Sequence, residues 1–365
     1  MDFFHTHISK KSYKHVQKTL NSNFLSEGKL VQQFENKLSR RLGLVNPIAV
    51  NSGTSALHLA LKLANVEPGD EVILPAQTFV STGSVILMVG AKPVFADIQS
   101  KTGNIDPGSI KQKITPLTKA IMIVHWGGYP CDLDEINPIA KKNRLAVIED
   151  AAHALGATYK NKPVGSISRF TAFSFQATKE LTTGDGGAIC CKSKKDSLRA
   201  KSLRWFGIDR THSKPSILGE RQYDINEVGF KYHMNDLAAS LGLGNLEDFL
   251  KNLRRRRSIA SHYRKELGKI AGLKLLDYQD DRESAYWLFT ILVENRLDFI
   301  KKLKTRKIPT SVVHLRIDRN SIFGGITPNL GNQEKFDQNQ VSIPIHDALS
   351  EQDVEKIISA IKSGW

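Results

Sequence analysis

Along the first 190 positions the hydrophobic residues fall into short runs rather than long stripes. PIAV (47–50), EVILP (71–75), PVFADI (93–98), AIMIVHW (120–126) and LAVIED (145–150) are rich in Val, Ile and Ala and are bounded by turn residues. Such runs predict strands buried on both faces. Between them lie segments of helical spacing: FENKLSRRLGL ending near Gly43, a loop and helix in NSGTSALHLALKLANV (51–66), a stretch around Gly83–Val89, and residues 132–142. Buried strands alternating with crossover helices predict a mostly parallel sheet. FTAFSFQ (170–176) and GAICCK (187–192) add two strands without long helices between them.

The pattern changes beyond residue 245. A long charged helix, LEDFLKNLRRRRSIASHYRKEL (246–267), is followed by a strand in AYWLFTILV (285–293), a helix, a strand around SVVHL (311–315) and a closing helix at 350–363. This predicts a small α+β lobe at 246–365 behind a large α/β domain at 1–245, whose N-terminal segment can pack back on the small lobe. A chain of 365 residues exceeds the roughly 250–300 at which single cores usually divide.

Composition then narrows the function. An apolar fraction of 40% with 13 prolines is that of an ordinary folded protein, excluding disorder and collagen-like repeats. The three cysteines, Cys131, Cys190 and Cys191, have neither CxxC spacing nor a paired His motif, so no disulfide framework and no metal site is expected. No run approaches the ~20 apolar residues of a membrane span, and the first residues lack an apolar leader; a reducing cytoplasm is the expected location. The net charge of +15 raises the question of nucleic acid. Its densest run, Arg254–Arg257, is interleaved with Leu253, Ile259 and Tyr263, which predicts a mostly solvated helix face rather than a nucleic-acid surface. Nor is there a GxGxxG after the first strand, as a dinucleotide-binding enzyme would need; LGLGNL (241–246) lies in a helical stretch and lacks the third glycine.

Three elements carry chemistry. In NSGTSALHL (51–59) a strand end, small hydroxyl residues and a helix start make either a helix cap or a phosphate cradle. Asp150 closes a buried strand at the edge where open α/β sheets bind ligands, and reads either as the cap of a helix in AAHAL or as a ligand carboxylate. Lys179 stands in a stretch, FSFQATKELTTGDGGAI (173–189), too apolar and too rich in glycine for a solvated surface. Burial lowers a lysine's pKa and turns it into an amine nucleophile. Phosphate cradle, carboxylate and buried amine, in that order on a parallel sheet, are the three contacts that pyridoxal 5′-phosphate (PLP) requires.

Together with SEGKLVQQFE (26–35), DEVILPAQTFVST (70–82), GAKPVFADI (90–98), GFKYHMNDLAASLGLGNL (229–246) and SIPIHDALS (342–350), these blocks make the chain resemble the DegT/DnrJ/StrS sugar aminotransferases over essentially its whole length. The resemblance implies the aspartate aminotransferase fold (PLP fold type I). It also implies a catalytic Lys179 holding the cofactor as a Schiff base and Asp150 on the pyridine nitrogen. His153 is then near the ring hydroxyl and Phe79 stacks on the ring, while Gly53, Thr54, Ser55 and Ser174 surround the phosphate. Many members carry Asn, reaching the partner's phosphate across a homodimer, where this chain has Lys231; a cation facing a dianion there is electrostatically sensible.

The implied reaction moves an amino group from an amino-acid donor, L-glutamate in most of the family, to a nucleotide-linked keto-sugar. The resulting amino sugars serve surface polysaccharides or related products. Relatives acting on cyclitol ketones are the alternative within the family, and a basic nucleic-acid-binding protein the remote one outside it. In the divergent segment VVHLRIDRNSIF (312–323), His314 is the candidate for a sugar or donor contact and Arg316 or Arg319 for the diphosphate. Residues 192–269 hold 18 basic and 9 acidic side chains, an excess that reads as a field favouring a diphosphate and a dicarboxylate.

Overall fold

The computed structural model describes residues 1–210 and 214–365. Its centre is a seven-stranded sheet of β1 (Pro47–Val50), β2 (Glu71–Pro75), β3 (Lys92–Ala96), β4 (Thr118–Val124), β5 (Ala146–Asp150), β6 (Phe170–Ser174) and β7 (Gly187–Cys191). The spatial order is β1-β7-β6-β5-β4-β2-β3. All neighbours run parallel except β7, which is antiparallel to both β1 and β6. Every residue of β1, β2, β5 and β7 is buried, as their unbroken apolar runs require.

The helix Gly53–Leu63 explains the cover on one face. Its residues Ser55 to Leu61 are all buried, so it is an inner helix with no solvent stripe. It packs with β5, β6, β7 and the helix Val80–Met88 into the largest apolar cluster. The opposite face of the sheet carries the N-terminal helix Lys29–Leu42 and the helix Asp236–Asn245, joined by Phe34, Leu38 and Leu243. The helix Lys10–Asn21 lies close against Asp236–Asn245: a Cβ on Gly244 would come within 2.4 Å of Ser12, so only glycine admits this approach.

The C-terminal part has its own sheet, β8 (Leu273–Leu275), β9 (Phe289–Val293) and β10 (Gln340–Ile343), all antiparallel in that order. The helices Phe249–Leu267, Arg296–Thr305 and Glu351–Lys362 cover it, the last started by a Ser350–Asp353 capping box. The 19-residue helix Phe249–Leu267, about 28 Å long at ~1.5 Å per residue, joins the two bodies. Its Phe249 and Leu253 belong to the core of the large sheet, and its Ile259, Tyr263 and Leu267 to that of the small one.

Four expectations from sequence are corrected. Residues 311–315 do not form a strand; only Ser311 pairs, with Ser342, because the His314 carbonyl is taken by the side-chain amides of Gln77 and Gln340 instead of a ladder. AAHAL (151–155) does not form a helix but two consecutive turns. The charged helix begins at Phe249 rather than at 246. The run Arg254–Arg257 is not a solvated face: only Arg254 is exposed. Arg255 pairs with Glu351, buried Arg256 donates to the Ile345 carbonyl, and Arg257 binds Glu283 and the carbonyls of Gly156 and Ser284.

Among the described residues no helix is long and apolar enough to cross a membrane.

Candidate active site

The carboxyl ends of β4, β5 and β6 open into a cavity of about 540 Å³. Strand periodicity decides which side chain enters it. At the end of β5, Glu149 points to the opposite face, where it binds His125 at 2.7 Å, while Asp150 faces the cavity. Asp150 Oδ1 accepts from the Ala152 N–H at 3.1 Å and Oδ2 from Thr82 Oγ1 at 2.8 Å. Thr82 is fully buried and lies 2.7 Å from the Thr78 hydroxyl, so a short chain of hydroxyls aims one proton at the carboxylate. Burial nevertheless pushes the Asp150 pKa up, and no cation pairs with it among the described residues. Asp150 thus caps no helix; it is a buried carboxylate suited to a cationic partner.

The helix Gly53–Leu63 ends on the same cavity. Ser52 is its cap, accepting from the Ser55 N–H at 3.0 Å, and its first N–H groups have no carbonyl one turn earlier to bond. Gly53, Thr54 and Ser174 line the cavity there. A Cβ on Gly53 would lie 2.9 Å from the Ser174 Cβ, so β6 can approach this helix start only at glycine. Ser55 does not line it; its hydroxyl is spent on Asn51 Oδ1 at 2.7 Å, stabilising the turn from behind. The arrangement provides backbone donors, two hydroxyls and the positive end of a helix, the requirements of a phosphate.

Lys179 reaches the cavity from the turn after β6. Among the described residues its Nζ has no hydrogen-bond partner; it lies 3.4 Å from the ring centroid of Trp287. Burial pulls its pKa from 10.5 down to about 8, with Glu180 and Asp150 acting the other way. The Trp287 indole N–H donates to the Thr178 carbonyl at 2.9 Å, tying the ring to the lysine's own turn. His153 stacks on Trp287 at 3.9 Å and is kept neutral by burial, and its buried Nδ1 has no hydrogen-bond partner among the described residues. Phe79, half-exposed, stands at the cavity mouth 5.0 Å from the ring of His314, whose own pKa burial lowers to about 4.

The structure therefore gathers Lys179, Asp150, His153, Phe79, Gly53, Thr54, Ser174 and His314 around one space. Three candidates lie elsewhere. Arg316 is buried with its guanidinium closed on Asp318 in two hydrogen bonds of 2.7 and 2.6 Å, and Arg319 is exposed on the adjoining turn; neither lines the cavity. Lys231 is also exposed and outside the cavity, although its carbonyl accepts from Asn51, two residues before the cradle glycine. Sequence reasoning overlooked Trp287, Thr82 and Phe4. Trp287 was read only as part of a strand, and Phe4, stacked on Trp287 at 5.1 Å, comes from a segment with no periodicity to mark it.

PLP fits these residues. The unpaired buried carboxylate suits a protonated ring nitrogen, the orphaned His153 Nδ1 a ring substituent, the helix start a phosphate, and the unbonded amine of Lys179 an aldehyde.

Comparison with known proteins agrees. The model of the DegT/DnrJ/EryC1/StrS aminotransferase family matches residues 6–362. The chain is 38% identical to the spore coat polysaccharide biosynthesis protein SpsC of Bacillus subtilis, over 97% of its length and 94% of that protein's. It is 31% identical to the UDP-4-amino-4-deoxy-L-arabinose–oxoglutarate aminotransferase of Shewanella sediminis, over 97% and 95%. Among solved structures, AtS13 from Actinomadura melliaura superposes with a TM-score of 0.96 at 37% identity over 100% and 99% of the two chains. The sugar aminotransferase CalS13 from Micromonospora echinospora gives 0.95 at 35% identity, covering both chains completely. Spr1654 from Streptococcus pneumoniae, solved in a PLP form, gives 0.91 at 31% identity over 100% and 98%.

Proposed function

The chain belongs to the DegT/DnrJ/EryC1/StrS aminotransferase family, and on that premise we propose that it moves an amino group from L-glutamate to a keto-sugar carried on a nucleoside diphosphate. That it is a PLP-dependent transaminase with the fold of the sugar aminotransferases follows from the family and from its solved neighbours. The observation that carries the finer reading is the cavity itself. Lys179, Asp150, Phe79 and the helix start account for the cofactor, and the rest of the wall carries the aromatic rings of His314 and Phe4 beside the polar Ser311 and Gln176, a mixture that suits a sugar ring. The Shewanella relative, named for a UDP-linked amino sugar and oxoglutarate, supports both the carrier and the donor.

Within such a reaction each residue has a task. Bound PLP supplies an aldehyde to take the amino group and a ring to take up negative charge. Asp150 would hold a positive charge on the ring nitrogen, and the hydrogen bond from Thr82 fixes the orientation of its carboxylate. The Lys179 amine would anchor the cofactor, and as a free amine it would hold and move a proton at Nζ. A pKa near 8 leaves this amine able both to accept and to give up that proton close to neutrality. Neutral His153 and His314 add no competing cation near Lys179.

A homodimer completes the proposal. Ile217, Leu218 and Val228 are strongly exposed in the segment that leads to Lys231, an apolar surface that suits a second copy, with Lys231 reaching toward the neighbour's phosphate. Arg204 is bound to Glu27 and Glu35, and Arg199 to Glu227, so these two cations of the 192–269 segment are already engaged. Lys231 is the better candidate.

The deciding experiment is a product assay with L-glutamate and a panel of UDP-, GDP- and dTDP-linked keto-sugars, with free keto-sugars and cyclitol ketones as comparators. Turnover confined to nucleotide-linked acceptors supports the reading; turnover of cyclitol ketones alone would replace it.

A further inference from the structure

The N-terminal residues run along the outside of the cavity wall. Among the described residues, one group of three His and Asp side chains brings its ligand atoms within 4.8 Å of one another: His5, His7 and Asp347. We propose that these three side chains form a divalent-metal site, of the kind that takes Zn²⁺, and that it fastens the N-terminal segment to the small lobe.

Four observations carry this. First, His7 Nδ1 lies 3.0 Å from Asp347 Oδ2. In a tetrahedral shell two ligand atoms each about 2.0–2.2 Å from one ion stand about 3.3–3.6 Å apart, so this pair needs to open by only a few tenths of an ångström to form one edge. Second, the other nitrogen of His7, Nε2, lies 3.2 Å from Asp248 Oδ2. A carboxylate behind the far nitrogen is the usual outer support of a metal-bound histidine, fixing its tautomer and orientation. Third, two buried lone pairs in the same cluster lack a donor. Among the described residues Asp347 Oδ1 has no hydrogen-bond partner, and neither has Nδ1 of the adjacent His346, whose Nε2 donates to the Asp2 carbonyl at 3.1 Å. Fourth, His5 makes no hydrogen bond with any described residue. Its ring instead sits 5.6 Å from that of His346, so nothing in the protein itself accounts for its place in the cluster.

Charge permits a cation. Arg256 stands 3.9 Å from Asp347 Oδ1 and Lys11 acts at longer range on Asp248, set against the two carboxylates, and the imidazoles can serve as neutral ligands. Two imidazoles and a carboxylate form a borderline set that favours Zn²⁺ and admits Co²⁺, with water completing the shell. All three ligands are partly exposed, which gives the ion a path of entry.

The site has a consequence for the enzyme. Phe4, the neighbour of His5, lines the active-site cavity and stacks on Trp287. An ion at His5 and His7 would fix that wall in place without touching the reacting groups.

The test uses the full-length PLP-loaded protein, stripped with a chelator and titrated with Co²⁺. The expected result is one equivalent per chain, with ligand-field absorption at longer wavelength than the cofactor bands, displaced by Zn²⁺. His5→Ala, which breaks no hydrogen bond, and Asp347→Asn should each abolish the band, and Asp248→Asn should weaken binding about 10- to 100-fold. Zn²⁺ should raise the thermal midpoint of the unsubstituted protein and leave that of His5→Ala where it is in the absence of metal. Absence of saturable binding, or binding unchanged in a His5→Ala protein of normal stability, would overturn the proposal.

Discussion

The Nζ of Lys179 lies 3.4 Å from the centroid of the Trp287 ring, and the N–H of that ring donates to the carbonyl of Thr178, one residue before the lysine. One side chain thus covers the Lys179 amine and ties down the turn that carries it. His153 and Phe4 stack on the same indole at 3.9 and 5.1 Å, so these aromatic residues form one wall around the amine.

Replacing this indole separates its two roles. Trp287→Phe keeps a ring beside the ammonium but loses the bond to Thr178, which is worth about 0.5–1.5 kcal/mol, and should lower kcat/KM about 2- to 10-fold. Trp287→Leu also removes the cation–π contact, about 0.5–2 kcal/mol where water is excluded, and opens the amine to solvent. Its Lys179 midpoint should then rise above 8 toward 10.5, because burial is the main cause of the depression. Steady-state kinetics across pH check both; equal effects of the two substitutions would remove the separate role of the ring.

The hydroxyl of Thr82 should matter nearly as much as its position suggests. Its hydrogen bond to Asp150 is one of two the carboxylate receives, and bonds to charged groups are worth about 1.5–3 kcal/mol. If the charge on Asp150 is felt mainly in the transition state, Thr82→Val should lower kcat by about 10- to 150-fold. Asp150→Asn, which removes the charge itself, should lower it further. Thr82→Ser should restore most of the rate, which a packing defect would not allow.

Much of this site was legible from residue types. Asp150 could be placed because an apolar run ending in a carboxylate marks a strand end at the ligand edge, and Gly53 because a glycine beside hydroxyl residues marks a helix start. The mostly parallel strands and their crossover helices followed from period and run length in the same way, whereas the spatial order of the strands did not. What escaped depends on contacts distant in sequence. Trp287 meets Thr178 across 109 positions, and Thr82 meets Asp150 across 68, with no local pattern to announce either. Arg316 looked free because its partner Asp318 is two residues away in a turn that its own sequence does not predict. The same blindness applies to His5 and His7, whose third partner, Asp347, lies near the other end of the chain.

The cradle makes a prediction about volume. Gly53→Ala would place a methyl group 2.9 Å from the Ser174 Cβ, forcing the helix start away from β6 at a cost of about 1–3 kcal/mol. Affinity for PLP should fall, because the helix N–H groups move with it. Ser174→Gly should recover part of the loss in the double variant although it is itself a loss in the single one. Cofactor titration followed by absorbance would reveal this coupling, and strict additivity would refute the steric account.

The final prediction concerns pH. With burial holding Lys179 near 8, the neutral amine amounts to about a tenth of the total at pH 7 and a half at pH 8. Attachment of PLP to the cofactor-free enzyme should therefore speed up about fivefold between pH 7 and 8 and level off above 9. An ordinary lysine would keep gaining tenfold per unit to beyond 10. Glu180, whose own pKa burial lifts to about 7, is the stronger of the two carboxylates, with Asp150, that favour the ammonium form of Lys179. Removing its charge in Glu180→Gln withdraws that support, so the amine should lose its proton more readily and the midpoint should move below 8. At pH 7 the variant should then take up cofactor faster than the parent; a midpoint that stays or rises would show that the carboxylate does not act on Lys179.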